Sequence, residues 1–471
     1  MNSPDNLSLG EKIRQIRKAK GLSQENMAYA IKKSRIFVTR LENGQADFTP
    51  DLLAAIKKFL EIEDAPLLAH ELEVYKDRLR VWYEMLAAYR FTEARDMQPL
   101  LASIVDLPYE RDLIMLFILI EASLVYMEWD IPAADAMVDK VGAMLVPDEA
   151  SPETRALFHR HIGVRLINRG NIDTVSKDDV VKALGHFLAA NNMNSSFVKP
   201  NEGLLRNIAN CYYNLGNVYK TIQYYEQILK DYTPDQTQII GAVIRRALGV
   251  CYCLVGELSK AKVFCELAVS QFQVFGIDFH VLYSLVYSGI VSLEMGDHRE
   301  ALSFFYKADD YVSDETSLKG AIATTFPDSH NNMRALLIFC KALCLLEMKA
   351  FAKAKEVIKE GRAWAKKHNR EYYTVLTEAP AHLITLHDIN SSDYIHNVAI
   401  PTFLAKGTNV YSMALRLCKI LEAHYMKRGA TRKALEVAGI QRDIYKTMLY
   451  GGSELELDSR RSLHEQKTSN F

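Results

Sequence analysis

The chain lacks the usual signatures of an enzyme. Its 471 residues contain no G-x-x-x-x-G-K-[ST] loop, no G-x-G-x-x-G turn, no H-E-x-x-H pair and no nucleophile elbow. Those absences remove the commonest routes to phosphate, dinucleotide, zinc-peptidase and acyl-transfer chemistry, and a non-enzymatic role is expected. A cysteine framework is lacking too, because the seven cysteines are odd in number and irregular in spacing. This pattern points to free thiols in a reducing compartment. Cys251 and Cys253 are too close for a zinc knuckle, and Cys340 and Cys344 have no accompanying histidine pair. All seven are expected to be small buried hydrophobes, with no metal or other cofactor. No signal peptide is evident, and the most apolar run, Leu113 to Met127, includes Glu121 and is too short to cross a bilayer. A cytoplasmic protein without a membrane partner is expected. Proline is sparse and is placed at helix joints, as at Pro108, Pro132, Pro234 and Pro401, while strand-like alternation is scarce. His159 and His161 fall on opposite faces of one expected helix and are read as surface residues.

What the chain does have is an uneven distribution of charge. The net charge is −1, yet residues 9–62 carry eleven Lys or Arg against six Asp or Glu, a local +5 that leaves −6 for the rest. A small basic head on an acidic body suits a nucleic-acid-binding module joined to something else. Within the head, LSQENMAYAIKKSRIFVTRLENG at 22–44 reads as two short helices across a tight turn. Ser23 caps the first, whose inner face carries Leu22, Met27, Ala28 and Ile31. Ser34 caps the second, with Val38 and Leu41 inward and Arg35, Ile36, Thr39 and Arg40 outward, and Asn43-Gly44 ends it. Such a pair places its second helix in a major groove of double-stranded DNA.

From about residue 75 the apolar residues recur at helical spacing, and a second period lies on top. Ala209, Gly249 and Gly289 are 40 residues apart, as are Gly216, Gly256 and Gly296. Tyr212 and Tyr252, Ala261 and Ala301, and Ala268 and Ala308 share that interval. Two antiparallel helices crossing closely need small residues at the contact, and a glycine suits the turn between them. Weaker units lie around Ala94, Ala133, Ala183, Ala354 and Ala434. The expected fold is all-α: a helix-turn-helix bundle over 1–66, a linker at 67–74, a repeat superhelix over 75–454 and a disordered tail over 455–471.

The segment 9–62, with its LSQE and LENG motifs, resembles the repressor-type XRE or Cro/cI helix-turn-helix family, except that Lys32 stands where a turn glycine is frequent. The resemblance implies that Gln24 lies near phosphate and base, and that Arg35, Ile36, Thr39 and Arg40 face bases. Arg35 and Arg40 suit guanine edges, Ser34 and Asn43 suit phosphates, and Arg14, Arg17 and Lys18 are read as solvated charge or weak phosphate contacts. The repeat segments, with their G-x-x-x-x-A step, resemble tetratricopeptide repeats lengthened from the usual 34 residues. In that frame Arg206, Asn210, Tyr213, Asn214 and Arg246 face the groove, where Asn can pair with an extended peptide backbone and Arg with a carboxylate.

The combination resembles the RRNPP family of quorum-sensing regulators, with a layout closest to the NprR and PlcR branches. It implies a homodimeric transcription regulator gated by a short signalling peptide. The alternatives are gating by a protein partner, and binding or dephosphorylation of a response regulator through a group between Glu84 and Gln98.

Overall fold

A computed structural model describes residues 9–46, 49–61, 69–87, 90–102, 110–128, 130–147, 150–168, 176–193, 202–231, 238–313, 327–406 and 408–451. Every element in those residues is helical, as the 3.6-residue spacing requires. The expected sites at Pro108 and Pro234 and the tail beyond 455 lie outside them. The chain divides into two compact units, the first running to His161 and the second holding nearly all that follows.

The first unit opens with α1 (Leu9–Ala19), α2 (Gln24–Ala30), α3 (Arg35–Glu42) and α4 (Pro50–Phe59). Ile13, Met27, Ile31, Val38, Leu41, Ile56 and Leu60 close around one core. At Gly10 a Cβ would lie 1.8 Å from the Leu41 carbonyl oxygen, so only glycine lets α1 cross α3 this closely. Residues 69–74, expected as linker, form the start of α5 (Ala69–Ala87). α6 (Phe91–Leu101) follows, then α7 (Arg111–Met127), which carries the most apolar run. That run is buried along most of its length, and Trp82 stacks on Phe117 at 5.3 Å and donates to the Ala94 carbonyl at 2.7 Å. No described helix is long and apolar enough to cross a membrane. In α8 (Ile131–Met144) the packed small residue is Ala134, one position after the expected Ala133, and Pro132 sits in the first turn. Two prolines defy the joint rule: Pro99 lies inside α6 and Pro380 inside a later helix.

The second unit takes up the end of α9 (Pro152–Asn168) and continues with α10 (Lys177–Asn192). Helix pairs follow: α11 (Glu202–Asn214) with α12 (Val218–Asp231), α13 (Gln238–Leu254) with α14 (Leu258–Phe275), and α15 (Asp278–Glu294) with α16 (His298–Ser313). The next pair is α17 (Pro327–Glu347) with α18 (Phe351–His368). After α19 (Glu371–Ile384), α20 (Ile389–Tyr394), a π turn at Ile395–Ala399 and α21 (Ile400–Ala405), the chain ends in α22 (Tyr411–Lys427) and α23 (Thr431–Tyr450).

The 40-residue period marks the turn inside each pair. Gly216, Gly256 and Gly296 take φ of +86°, +83° and +82°, and Gly429 takes +70°. Lys349 fills the same place in the fourth pair at φ +59°. Five residues after each turn a small residue packs with little or no exposure: Ala261, Ala301, Ala354 and Ala434, with Thr221 in the first pair. Seven residues before the turn, a Cβ on Gly249 would lie 2.3 Å from Cys265 Sγ, and one on Gly289 would lie 2.3 Å from the Phe305 ring. The pattern therefore records places where two helices touch backbone to side chain.

The last pair returns to the first pair of the unit. Thr447 and Tyr411 lie over Gly216, and Thr408 donates to the Tyr213 carbonyl. Arg416 on α22 donates to Glu294 at 2.9 Å and to Glu347 at 2.9 Å, at the ends of α15 and α17. Met413 meets Cys340 of α17 at 3.7 Å. First helices of successive pairs thus converge on α22, most of whose first half is buried.

Candidate functional site

In the head, serine caps set the two helices. Ser23 Oγ accepts from the Asn26 amide at 3.0 Å, and Ser34 Oγ accepts from the Phe37 amide at 3.2 Å. Lys32 carries the turn at φ +52°, the left-handed geometry that glycine adopts more easily. Asn43 closes α3 and Gly44 follows at φ +68°.

Arg17 corrects the expectation for its position. It is 6 % exposed and lies inside the head, not in solvent or on a phosphate. Its Nε and Nη2 meet the Glu42 carboxylate at 2.6 and 3.0 Å, and Nη1 donates to the Leu22 carbonyl at 2.6 Å. Gln24 extends the same network, donating to Glu42 Oε2 at 2.8 Å and accepting from Thr39 Oγ1 at 3.3 Å. Burial raises the Glu42 carboxyl, but hydrogen bonds from Arg17 and Gln24 and the Arg17 charge outweigh it, so its pKa falls below the ordinary value. Thr39 also bonds the Arg35 carbonyl at 3.1 Å. Gln24 and Thr39 are therefore held from within.

Outside that network lie Arg35, Ile36, Arg40 and Asn43, all exposed, with Ile36 at 69 %. Arg35 meets Glu25 at 3.0 Å in an ion pair open to solvent. A cleft of about 350 Å³ runs beside it, lined by Arg14, Arg17, Lys18, Ser23, Gln24, Glu25 and Arg35. Cationic tips around a polar cleft, next to a helix presenting two arginines and an isoleucine, match a phosphate edge and a row of base edges.

The second candidate group lies on α11 and α13. Asn210 Oδ1 accepts from the buried Tyr225 hydroxyl at 2.5 Å. Asn214 is exposed, while Arg206 and Tyr213 are half-buried. Arg246 is half-buried as well, lying over the rings of Phe272 and Tyr283 at 5.7 and 5.3 Å. Its Nη1 donates to His280 Nδ1 at 3.0 Å. Burial and the Arg246 charge hold the His280 imidazole down to about 3, and burial pushes the Tyr213, Tyr225 and Tyr287 phenols up. Sequence reasoning missed Tyr225, His280 and Tyr283, because the 40-residue register that located Arg246 says nothing about which rings the next helices bring to it.

Packing places the residues of three further readings. His161 is an interior residue, 2 % exposed, with Nε2 at 2.8 Å from the Leu119 carbonyl. Burial and the nearby Arg160 charge hold its pKa down to about 3, while the Leu119 contact opposes them; the surface expectation fails because α9 turns this face onto α7. Between Glu84 and Gln98, Glu84 is exposed and Gln98 donates to Glu121 at 2.5 Å. All seven cysteines are buried and free, and no metal-binding group of three His, Cys, Asp or Glu occurs among the described residues.

Residues 13–67 match the helix-turn-helix family model. No curated protein matches the chain by sequence. Among solved structures, a Rap protein complexed with competence and sporulation factor shares 16 % identity at a TM-score of 0.54, covering 80 % of this chain and 99 % of that one. The apo quorum sensor NprR from B. thuringiensis gives 16 % identity and a TM-score of 0.54, covering 79 % and 99 %. NprR in complex with its cognate peptide NprX gives 17 % and 0.51, with the same coverage. At these identities the likeness is one of fold.

Proposed function

We infer that this chain, a helix-turn-helix head on a repeat body of the fold found in Rap and NprR, is a DNA-binding transcriptional regulator gated by a short peptide. The observation that carries the first half is α3 itself. Its inner face is locked by Val38, Leu41 and the Arg17–Glu42 pair, while Arg35, Ile36 and Arg40 stay exposed for base edges. Arg14 and Lys18 on the cleft rim, with the Ser34 and Asn43 ends of α3, position the head on phosphates. Gln24 and Thr39 act mainly by holding α3 in place.

The peptide half is supported by the fold shared with NprR, a protein solved with its cognate peptide, and by the polar groups on α11 and α13. Asn210 and Asn214 suit the backbone of an extended segment, with Arg206, Tyr213 and Arg246 beside them. A peptide that prefers one arrangement of the repeats shifts the regulator's population by its differential affinity and no more, typically about 1–3 kcal/mol. Useful operator specificity calls for two heads, hence a homodimer. Exposed Leu435, Tyr445, Leu449 and Tyr450 on α23 offer the apolar surface for it.

The test is capture of genomic DNA by the full-length protein at fixed salt, with and without a small-peptide fraction of spent medium from its own host. Paired half-sites whose enrichment changes with the fraction are expected. Sites that ignore the fraction would remove the peptide from the reading, and no enriched sites at all would remove the DNA.

A further inference from the structure

Arg246 differs from Arg17 and Arg416 in what surrounds it. Arg17 has Glu42, and Arg416 has Glu294 and Glu347. Arg246 pairs with no Asp or Glu among the described residues; its hydrogen-bond partner is the neutral nitrogen of His280. A guanidinium is donor-only, so His280 Nδ1 accepts and the ring proton sits on Nε2. Burial lowers the Arg246 pKa, and the groups that most oppose it are Tyr287, Tyr283, Tyr225 and Cys265, whose neutral forms carry no compensating negative charge. Tyr225 also feels Arg206, so a second cation is near. The pocket therefore gathers the Arg246 charge, neutral phenols and an imidazole N–H. A half-buried cation left without an anion is costly in a folded protein, unlike the same cation in water.

We propose that the Arg246 pocket, bounded by Phe272, His280, Tyr283 and Tyr287, binds a carboxylate, and that the ligand of the repeat body is a peptide carrying one at this point. The proposal rests on the peptide reading above and specifies its chemistry. The Phe272 and Tyr283 rings lie near the guanidinium and His280 takes Nη1, while Nε and Nη2 have no hydrogen-bond partner among the described residues, an edge that suits the flat, two-oxygen fork of a carboxylate. His280 fixes the fork by holding Nη1, and is a positioning residue. The carboxylate has two possible sources, the peptide C-terminus or an Asp or Glu side chain.

Three synthetic random heptapeptide libraries separate them: one with free C-termini, one amidated, and one amidated and without Asp or Glu. Each is incubated with full-length protein, and retained peptides are sequenced by mass spectrometry. The acid-free amidated library is expected to yield nothing. Selection from the free library alone assigns the C-terminus, and selection from the amidated acidic library assigns a side chain. Against a selected peptide, Arg246→Met is expected to lose roughly tenfold to a hundredfold in affinity, and Arg246→Lys less. Peptides retained equally from all three libraries, with Arg246→Met unaffected, would overturn the carboxylate assignment and leave the peptide reading intact. If no library yields a peptide, the peptide reading falls, and the pocket is judged by thermal unfolding in propionate against chloride at equal ionic strength. A propionate-dependent rise in Tm that Arg246→Met abolishes upholds the carboxylate site; no rise in the parent protein overturns it.

Discussion

Arg17 in the head and Arg246 in the body are buried in opposite ways. In the head Arg17 is matched by Glu42 and Gln24, so the interior network is closed and the exposed face of α3 is left for a partner. In the body Arg246 meets rings and a neutral histidine, so its network is open. A closed network fixes a shape that something else then reads, whereas an open one is itself a place for a ligand. The same arginine chemistry thus supports a scaffold at Arg17 and, in the proposed reading, a receptor site at Arg246.

The sharpest way to break the comparison is at Glu42. Glu42→Ala strands a buried arginine and is expected to destabilise the head by about 3–5 kcal/mol, abolishing DNA binding. Replacing Arg17 and Glu42 together with apolar residues of similar volume is expected to cost far less. Chemical unfolding of the head monitored with both variants decides this; equal losses would show that the pair is not a closed unit.

Next in size is the packing of the repeats. Gly289→Val pushes side-chain atoms into the Phe305 ring and is expected to cost about 1–3 kcal/mol. Calorimetry should show the body melting earlier while the head keeps its own transition. Arg40→Ala is expected to cost a similar 1–3 kcal/mol, roughly, but in operator discrimination and with an unchanged Tm, measured by binding to matched and mismatched sites at one salt concentration. Ser34→Ala removes the α3 cap and is expected to cost about 1 kcal/mol of head stability.

A further effect is one of pH, and both buried groups act in the same direction, losing stability as pH falls. The folded Glu42 carboxyl titrates below its usual value near 4.5, so the pair contributes in full above that value and is lost as pH falls through the lower folded one. His161 is neutral when folded, with a pKa near 3, against 6.5 for the ordinary side chain. Its neutral burial is unopposed above pH 6.5, and stability declines as pH falls from there towards 3 because the unfolded chain takes up the proton first. Stability measured from pH 7 to 4 should fall less steeply in His161→Gln, and an identical slope would show that the histidine is accessible when folded.

Much of the fold was legible because local rules govern it. Ser23, Ser34 and Gly44 act within one turn of their own helix, and the structure places each at the helix end expected. The glycines and alanines at 40-residue intervals report contacts between helices adjacent in sequence, which is why Gly256 and Ala261 could be assigned and Ala354 and Ala434 followed from them. Arg17 and His161 were misjudged for a complementary reason. Their partners, Glu42 and Leu119, lie 25 and 42 residues away, and no period links them.

The sequence by itself determined the helices, their caps, the helix-turn-helix at 22–44 and the helix pairs with their turns, because each depends on side chains within a few residues or one repeat. Only the tertiary structure decided that Gln24 and Thr39 face an interior network, that α22 returns to the first pair through Arg416 and Thr408, and that Arg246 lies among rings without an acid. Those facts depend on contacts between distant segments, and burial turns such contacts into the dominant energies while leaving no mark on local spacing.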